Sequence, residues 1–103
     1  MEILRTNEEE LAVRFDQNPA ATESDEWLDR FRSALTGAEK RLRVDLTALP
    51  IVTSLGVNVV VGMYQRLDRQ GGTVRVAVSS EKTRHVFELF QLTTLFDVDI
   101  VAP

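Results

Sequence analysis

Few residues in this sequence can make or break covalent bonds, and their types narrow the chemistry. Among 103 residues there is no cysteine and one histidine, His85. That excludes thiol chemistry and disulfides, and leaves too few soft ligands for a usual zinc site. His85 has no serine at a triad-like spacing and reads as a partly exposed structural histidine. Gly62 falls inside a helical pattern and Gly71-Gly72 at its end, so neither makes a phosphate-cradling loop. What remains is Ser54, where a proline-broken apolar stretch (residues 49–52) meets a helical pattern, with Gly56 just beyond. Such a serine reads first as a helix N-cap. The same place suits a phosphate ester, which would meet unpaired N–H groups and the positive end of the helix dipole; Gly56 would keep the approach open. Asp45, at the end of a strand pattern, reads as a turn or capping group, with metal binding as the alternative.

The elements that position these residues follow from periodicity. Residues 3–5 and 11–15 alternate as two strands around a polar turn. Trp27, Leu28, Phe31, Ala34 and Leu35 recur at helical spacing, with Thr22 or Ser24 as cap and Gly37 as terminator. Residues 42–46 alternate as a strand. Val57, Val60, Val61, Tyr64 and Leu67 keep i, i+3, i+4, i+7 spacing, which predicts a helix despite the valines, stopped by Gln70-Gly71-Gly72. Residues 73–78 alternate again. Residues 81–90 predict a helix capped by Ser79-Ser80, its apolar face made by Val86, Leu89 and Phe90 with Phe87 at the margin. Residues 96–101 close the chain as a strand. The order is β-β-α-β-α-β-α-β, an α/β fold. Arg41, Arg43 and Arg75 on alternate strand positions resist burial, so the expected sheet is mixed, four- to five-stranded, with the helices grouped on one face.

Composition bounds the function classes. With 44% hydrophobic and 27% charged residues the chain has material for a core and the length of one domain, residues 1–103. The formal net charge of −4 argues against a nucleic-acid backbone binder. The longest apolar run, residues 59–63, is far short of a membrane span, and residues 1–5 lack the features of a signal peptide. The expectation is therefore a cytoplasmic protein without membrane insertion.

The stretch from Arg43 to Tyr64, with Asp45-Leu46, Thr53-Ser54-Leu55-Gly56 and a following helix, resembles the core of STAS domains, the fold of anti-sigma factor antagonists. The likeness continues through Gln70-Gly71-Gly72, the strand at 74–78, the Ser79-Ser80-Glu81-Lys82-Thr83-Arg84 helix start and Leu92-Thr93-Thr94-Leu95-Phe96. In that family the pattern at the helix start is Asp-Ser-Ser-Gly-Leu-Gly. The phosphorylated serine falls on Ser54 and its glycine on Gly56, while Thr53, Leu55 and Asn58 stand in place of the aspartate, the second hydroxyl residue and the later glycine. The loop at 16–21 offers no clear counterpart to the glycine and aspartate that meet the kinase in the family.

The resemblance implies a single STAS domain acting as a switch, not an enzyme and without cofactor or metal. The unphosphorylated form binds an anti-sigma serine kinase and releases sigma factor, phosphorylation at Ser54 ends binding, and a serine phosphatase restores it. Thr53, Ser54, Leu55, Gly56 and Asn58 are then the partner-binding residues, supported by Asp45, by the loop from Thr47 to Ser54 and by the loop around residues 18–22. An outward Met63 or Leu55 would extend that surface. The alternative is a STAS scaffold or regulatory subunit in a signalling or transporter complex, without phosphate control. A homo-oligomer is left open.

Overall fold

The structure, a computed structural model, describes residues 1–101. Its elements are β1 (Glu2–Asn7), β2 (Glu10–Arg14), α1 (Ser24–Ala34), β3 (Arg41–Asp45), α2 (Ser54–Arg69), β4 (Thr73–Val78), α3 (Glu81–Leu89), a 3-10 turn (Leu92–Thr94) and β5 (Asp97–Ile100). The order is the one the periodicity predicts. The strands form one sheet in sequence order, β1 antiparallel to β2 and the rest parallel.

Strand parity decides how that sheet is covered. Leu11 and Val13, Leu42 and Val44, and Val74, Val76 and Val78 all point to one face and are buried. The opposite face carries Ala12, Arg41, Arg43, Arg75, Asp97 and Asp99. Arg43 sits directly across from Arg75, and Arg75 is drawn to Asp97 and Asp99 on the next strand at 3.6 and 3.4 Å. Such exposed pairs contribute little stability, but like charges facing each other would oppose pairing if neither found a partner. Both faces cannot be dry, so the helices share the apolar one.

Helix α1 buries Trp27 and Phe31; Phe15, after β2, meets Trp27 edge-on with centroids 5.2 Å apart. Helix α2 buries Val57, Val59, Val60, Met63 and Leu67. Its valines are tolerated because packing outweighs a few tenths of a kcal/mol per residue in helix propensity. A Cβ on Gly62 would come within 2.8 Å of Leu28 Cδ2, so the glycine marks where α1 lies close on α2. The end of α2 is a Schellman turn: Gly71 N–H donates to the Asp68 carbonyl, Gly72 N–H to that of Leu67, and Gly71 takes φ +77°.

Two expectations are corrected. Neither Thr22 nor Ser24 caps α1. Glu23 holds the N-cap position in helical conformation, and its carboxylate accepts from the Ala20 N–H at 2.9 Å, closing the preceding turn. The apolar face of α3 is set by Phe87, fully buried, and Thr83, one turn earlier, whereas Leu89 and Phe90 are exposed. Ser80 is the N-cap, its hydroxyl accepting from Thr83 N–H at 3.3 Å. Phe87 meets Phe96 with ring centroids 6.1 Å apart, and Leu89 and Phe90 run past the edge of the core.

Glu39, which nothing in the pattern singled out, is completely buried. Its carboxylate accepts from Arg5 Nη2 at 2.6 Å, from the N–H and hydroxyl of Thr36, from Gly37 N–H at 3.0 Å and from Gln70 Nε2 at 3.3 Å. Gln70 Nε2 also donates to its carbonyl at 2.8 Å. One side chain thus ties β1, the segment after α1 and the end of α2. Burial opposes its charge, but the donors, the Thr36 N–H first and Arg5 next, outweigh that and hold the carboxyl well below its ordinary range.

A lowered carboxyl contributes stability that is present above its ordinary value of 4.5 and is lost as pH falls below it toward the folded value. Glu39→Gln is expected to lose about 2 to 3 kcal/mol at pH 7 and to show a flatter decline on acidification. Chemical denaturation at pH 7 and pH 3 checks this, and parallel acid limbs for the two proteins would refute it. At the end of α3, Gln91 adopts φ 58°. Gln91→Gly should therefore raise stability by about 0.5 to 1 kcal/mol in a thermal melt.

Candidate functional site

The start of α2 lies beyond the C-terminal ends of β3 and β4, the edge of a parallel sheet where loops gather. The chain leaves β3 through a turn in which Asp45 Oδ1 accepts from the N–H and hydroxyl of Thr47 at 2.9 and 2.6 Å. Asp45 thereby has a turn partner in Thr47. The loop is pinned further on, where Ser79 Oγ donates to the Leu49 carbonyl at 3.1 Å. Leu49 and Val52 are buried and Ile51 between them is 66% exposed.

The N-cap of α2 is Thr53, one residue ahead of the expected Ser54. Thr53 is extended, with φ −78° and ψ 166°, and its Oγ1 accepts from Gly56 N–H at 3.2 Å. Val52 and Val57, on either side, are both buried and occupy the positions of a hydrophobic staple. The cap is therefore chosen by which residue must turn inward: with Val52 in the core, the next residue is the one whose hydroxyl can reach back over the first turn. Ser54 becomes the first helical residue and is exposed.

Asn18 completes this corner. From the loop between β2 and α1 its Nδ2 donates to the Ile51 carbonyl at 2.8 Å. Its Oδ1 accepts from Thr53 N–H at 2.9 Å and from the Thr53 hydroxyl at 3.3 Å. Gly56 makes room: a Cβ there would stand 3.1 Å from Asn18 Oδ1 and from Val52 Cγ1. The structure brings Thr53, Ser54, Leu55, Gly56 and Asn58 onto the first turns of α2, with Asn18 alongside. Thr53, Ser54 and Asn58 are exposed, Leu55 is half-buried, and Gly56 is buried beneath the loop, so its part is close packing and not an open approach. Met63 is fully buried and contributes nothing to this surface. Asn18 was legible only as one polar loop residue among several; its partners lie 33 and 35 residues away.

The side chains assembled at this corner, from Asn18 and from residues 51–58, are all uncharged. The N–H groups of Ser54 and Leu55 begin the helix and have no acceptor within it. An anion held there would meet those groups and the dipole. Asn58 also borders a groove along α1 and α2, with Leu28, Arg32 and Gln65. A groove of about 540 Å³ opens on the bare face of the sheet, lined by Glu10, Arg41, Arg43, Thr73, Arg75 and Asp97, at the far ends of the strands. Among the described residues no three His, Cys, Asp or Glu side chains gather as a metal site, and no helix is long and apolar enough to cross a membrane. His85 is exposed on α3, 3.5 Å from Glu88.

The two neighbouring hydroxyls should differ in what they do for the fold. Thr53→Ala is expected to cost about 1 kcal/mol through loss of the cap, and Ser54→Ala no more than ~0.5 kcal/mol. Paired urea titrations measure both; equal losses would refute the difference, and a reversed ranking would place the cap on Ser54.

A sequence comparison with curated proteins gave no match. Among solved structures the fold is similar to the anti-sigma factor antagonist SpoIIAA in its unphosphorylated form, with a TM-score of 0.78 and 17% identity over 94% of this chain and 85% of that one. The phosphorylated form of the Bacillus cell fate determinant SpoIIAA gives a TM-score of 0.73 and 18% identity, covering 94% and 88%. An anti-sigma factor antagonist from Mycobacterium paratuberculosis gives 0.75 and 17%, covering 97% and 86%. The STAS domain family model matches residues 3–101. With that match running from the first strand to the last, over the sheet and all three helices, the chain belongs to the STAS domain family.

Proposed function

We propose that this protein is a cytoplasmic anti-sigma factor antagonist working as a phosphorylation-controlled binding switch. Its unphosphorylated form binds an anti-sigma serine kinase and so releases sigma factor. Phosphorylation of Ser54 ends the association, and a serine phosphatase reverses it. The observation that carries this reading is the division of labour at the start of α2: Thr53 does the capping, and Ser54 stands exposed one residue on, with its hydroxyl outside the hydrogen bonds of the corner.

The physics of such a switch is local. A phosphate at the first helical position adds about 1.5 to 2 negative charges where the backbone favours them, so the fold is retained. The same charge on a surface that was neutral and bordered by exposed Ile51 introduces desolvation cost and repulsion at a protein interface. SpoIIAA in its two forms is similar to this chain to nearly the same degree, with TM-scores of 0.78 and 0.73, which is consistent with a fold that accommodates both states. In this role the chain is a substrate and a binding partner, and the nucleotide and catalytic groups belong to the kinase.

The test is phosphate-affinity electrophoresis with an anti-sigma serine kinase from the same genome and ATP. A shifted band is expected for the wild type and none for Ser54→Ala. In pull-downs Ser54→Ala should stay bound to the kinase in the presence of ATP, and Ser54→Asp should keep its far-UV spectrum yet bind at least tenfold more weakly. Stable binding with no phosphate on the wild type would replace the switch by a scaffold.

A further inference from the structure

Two adjacent hydroxyls, Thr53 and Ser54, stand at the same exposed corner, and a kinase that reaches one is within a residue of the other. The structure distinguishes them through Asn18. The orientation of the Asn18 amide is fixed by its backbone partners: the Ile51 carbonyl at 2.8 Å requires the NH2 group, and the Thr53 N–H at 2.9 Å requires the oxygen. The Thr53 hydroxyl, 3.3 Å from that same oxygen, is therefore the donor to it. It is also the acceptor of Gly56 N–H at 3.2 Å. Its proton and one lone pair are both committed inside the protein.

From this geometry we propose that Asn18 is a specificity-determining residue for phosphoryl transfer: it masks the Thr53 hydroxyl and assigns the acceptor role to Ser54. The inference rests on the switch reading above. In the transfer an acceptor oxygen forms a bond to the γ-phosphorus of ATP, the bond from that phosphorus to the β,γ-bridging oxygen breaks, and ADP leaves. The hydroxyl proton passes to a base on the kinase. Thr53 is hindered at the first and last of these steps. Its proton is held against an amide oxygen, which is too weak a base to accept it, and must leave that oxygen before a base on the kinase can take it. One of its two lone pairs is turned toward the helix, and freeing it would uncap α2. Ser54 Oγ meets neither restraint.

Asn18 holds Thr53 at both its N–H and its hydroxyl, and Gly56 allows the loop close enough to do so. The masking is thus independent of Ser54 itself. Removing Ser54 should leave Thr53 just as unreactive, and removing Asn18 should expose it.

Site-resolved mass spectrometry after incubation with the same kinase and ATP tests this. The wild type should carry phosphate on Ser54 alone, Ser54→Ala should carry none, and the double variant Asn18→Ala/Ser54→Ala should gain phosphate on Thr53, at least tenfold above Ser54→Ala. Phosphate on Thr53 in Ser54→Ala, with Asn18 intact, would overturn the assignment while leaving the switch standing. So would an unlabelled double variant whose parent Asn18→Ala is labelled on Ser54. A wild type that takes no phosphate overturns the switch and the assignment with it. Should the double variant not fold, amide exchange on the wild type decides: the Thr53 amide, held by Asn18, should exchange at least tenfold more slowly than those of Ser54 and Leu55, and equal rates would overturn the mask.

Discussion

A sheet that carries Arg41, Arg43 and Arg75 on the same face of two neighbouring inner strands can be covered on its other face only. That constraint comes directly from Arg41, Arg43 and Arg75, and most of the architecture follows from it. With the charged face in water, α1, α2 and α3 must share the other, and the sequential strand order keeps each crossover on that side. Helix α2, packed over the centre of the sheet, then presents its two ends at opposite edges of the molecule. Its start carries Ser54 and its finish reaches Glu39.

The two ends are secured by different chemistry, and the difference suits what each does. At the far end a buried carboxylate collects five donor groups from three segments, with Arg5 among them. A charge of this kind is tolerated only when fully satisfied, and it makes the surrounding backbone costly to move. At the Ser54 end the tie is a neutral amide at the surface, three hydrogen bonds from Asn18 to a loop. Neutral ties of this sort add about 1 kcal/mol each at most, enough to hold a geometry while leaving the surface free of fixed charge. A phosphate added to such a corner is the dominant charge there; at the Glu39 end it would be one charge among several.

How far this was legible depends on whether the deciding contacts are local. Alternation of Leu42 and Val44 against Arg41 and Arg43 gave the sheet its sidedness, and the Gly71-Gly72 pair marked the end of α2, because in each case the physics lies within a few residues. The cap of α2 was not legible to the residue. Thr53 and Ser54 are both good caps, and the choice was made by Val52 turning into the core and by Asn18, 35 residues away. The rotation of α3 had the same difficulty: Val86, Phe87, Leu89 and Phe90 are all apolar, so periodicity could not say which face is inward. Glu39 reads as a solvated residue in any pattern analysis, since its five donors come from Arg5, Thr36, Gly37 and Gln70.

Thr53 occupies the position where the family pattern has aspartate, and the geometry gives that exchange a physical meaning. As an acceptor for Gly56 N–H either side chain would serve. Only the hydroxyl also donates, and Asn18 presents an oxygen, not an NH2 group, at 3.3 Å. A carboxylate at position 53 would set a second acceptor against that oxygen with no proton between them, in a corner whose amide cannot rotate without losing Ile51. Threonine at 53 and asparagine at 18 are therefore matched to each other. The exchange also removes a negative charge from the residue next to Ser54, so the ester that would form there meets no neighbouring carboxylate. Threonine at 53 is held by a partner from another loop, and the helix start keeps both its cap and its exposed serine.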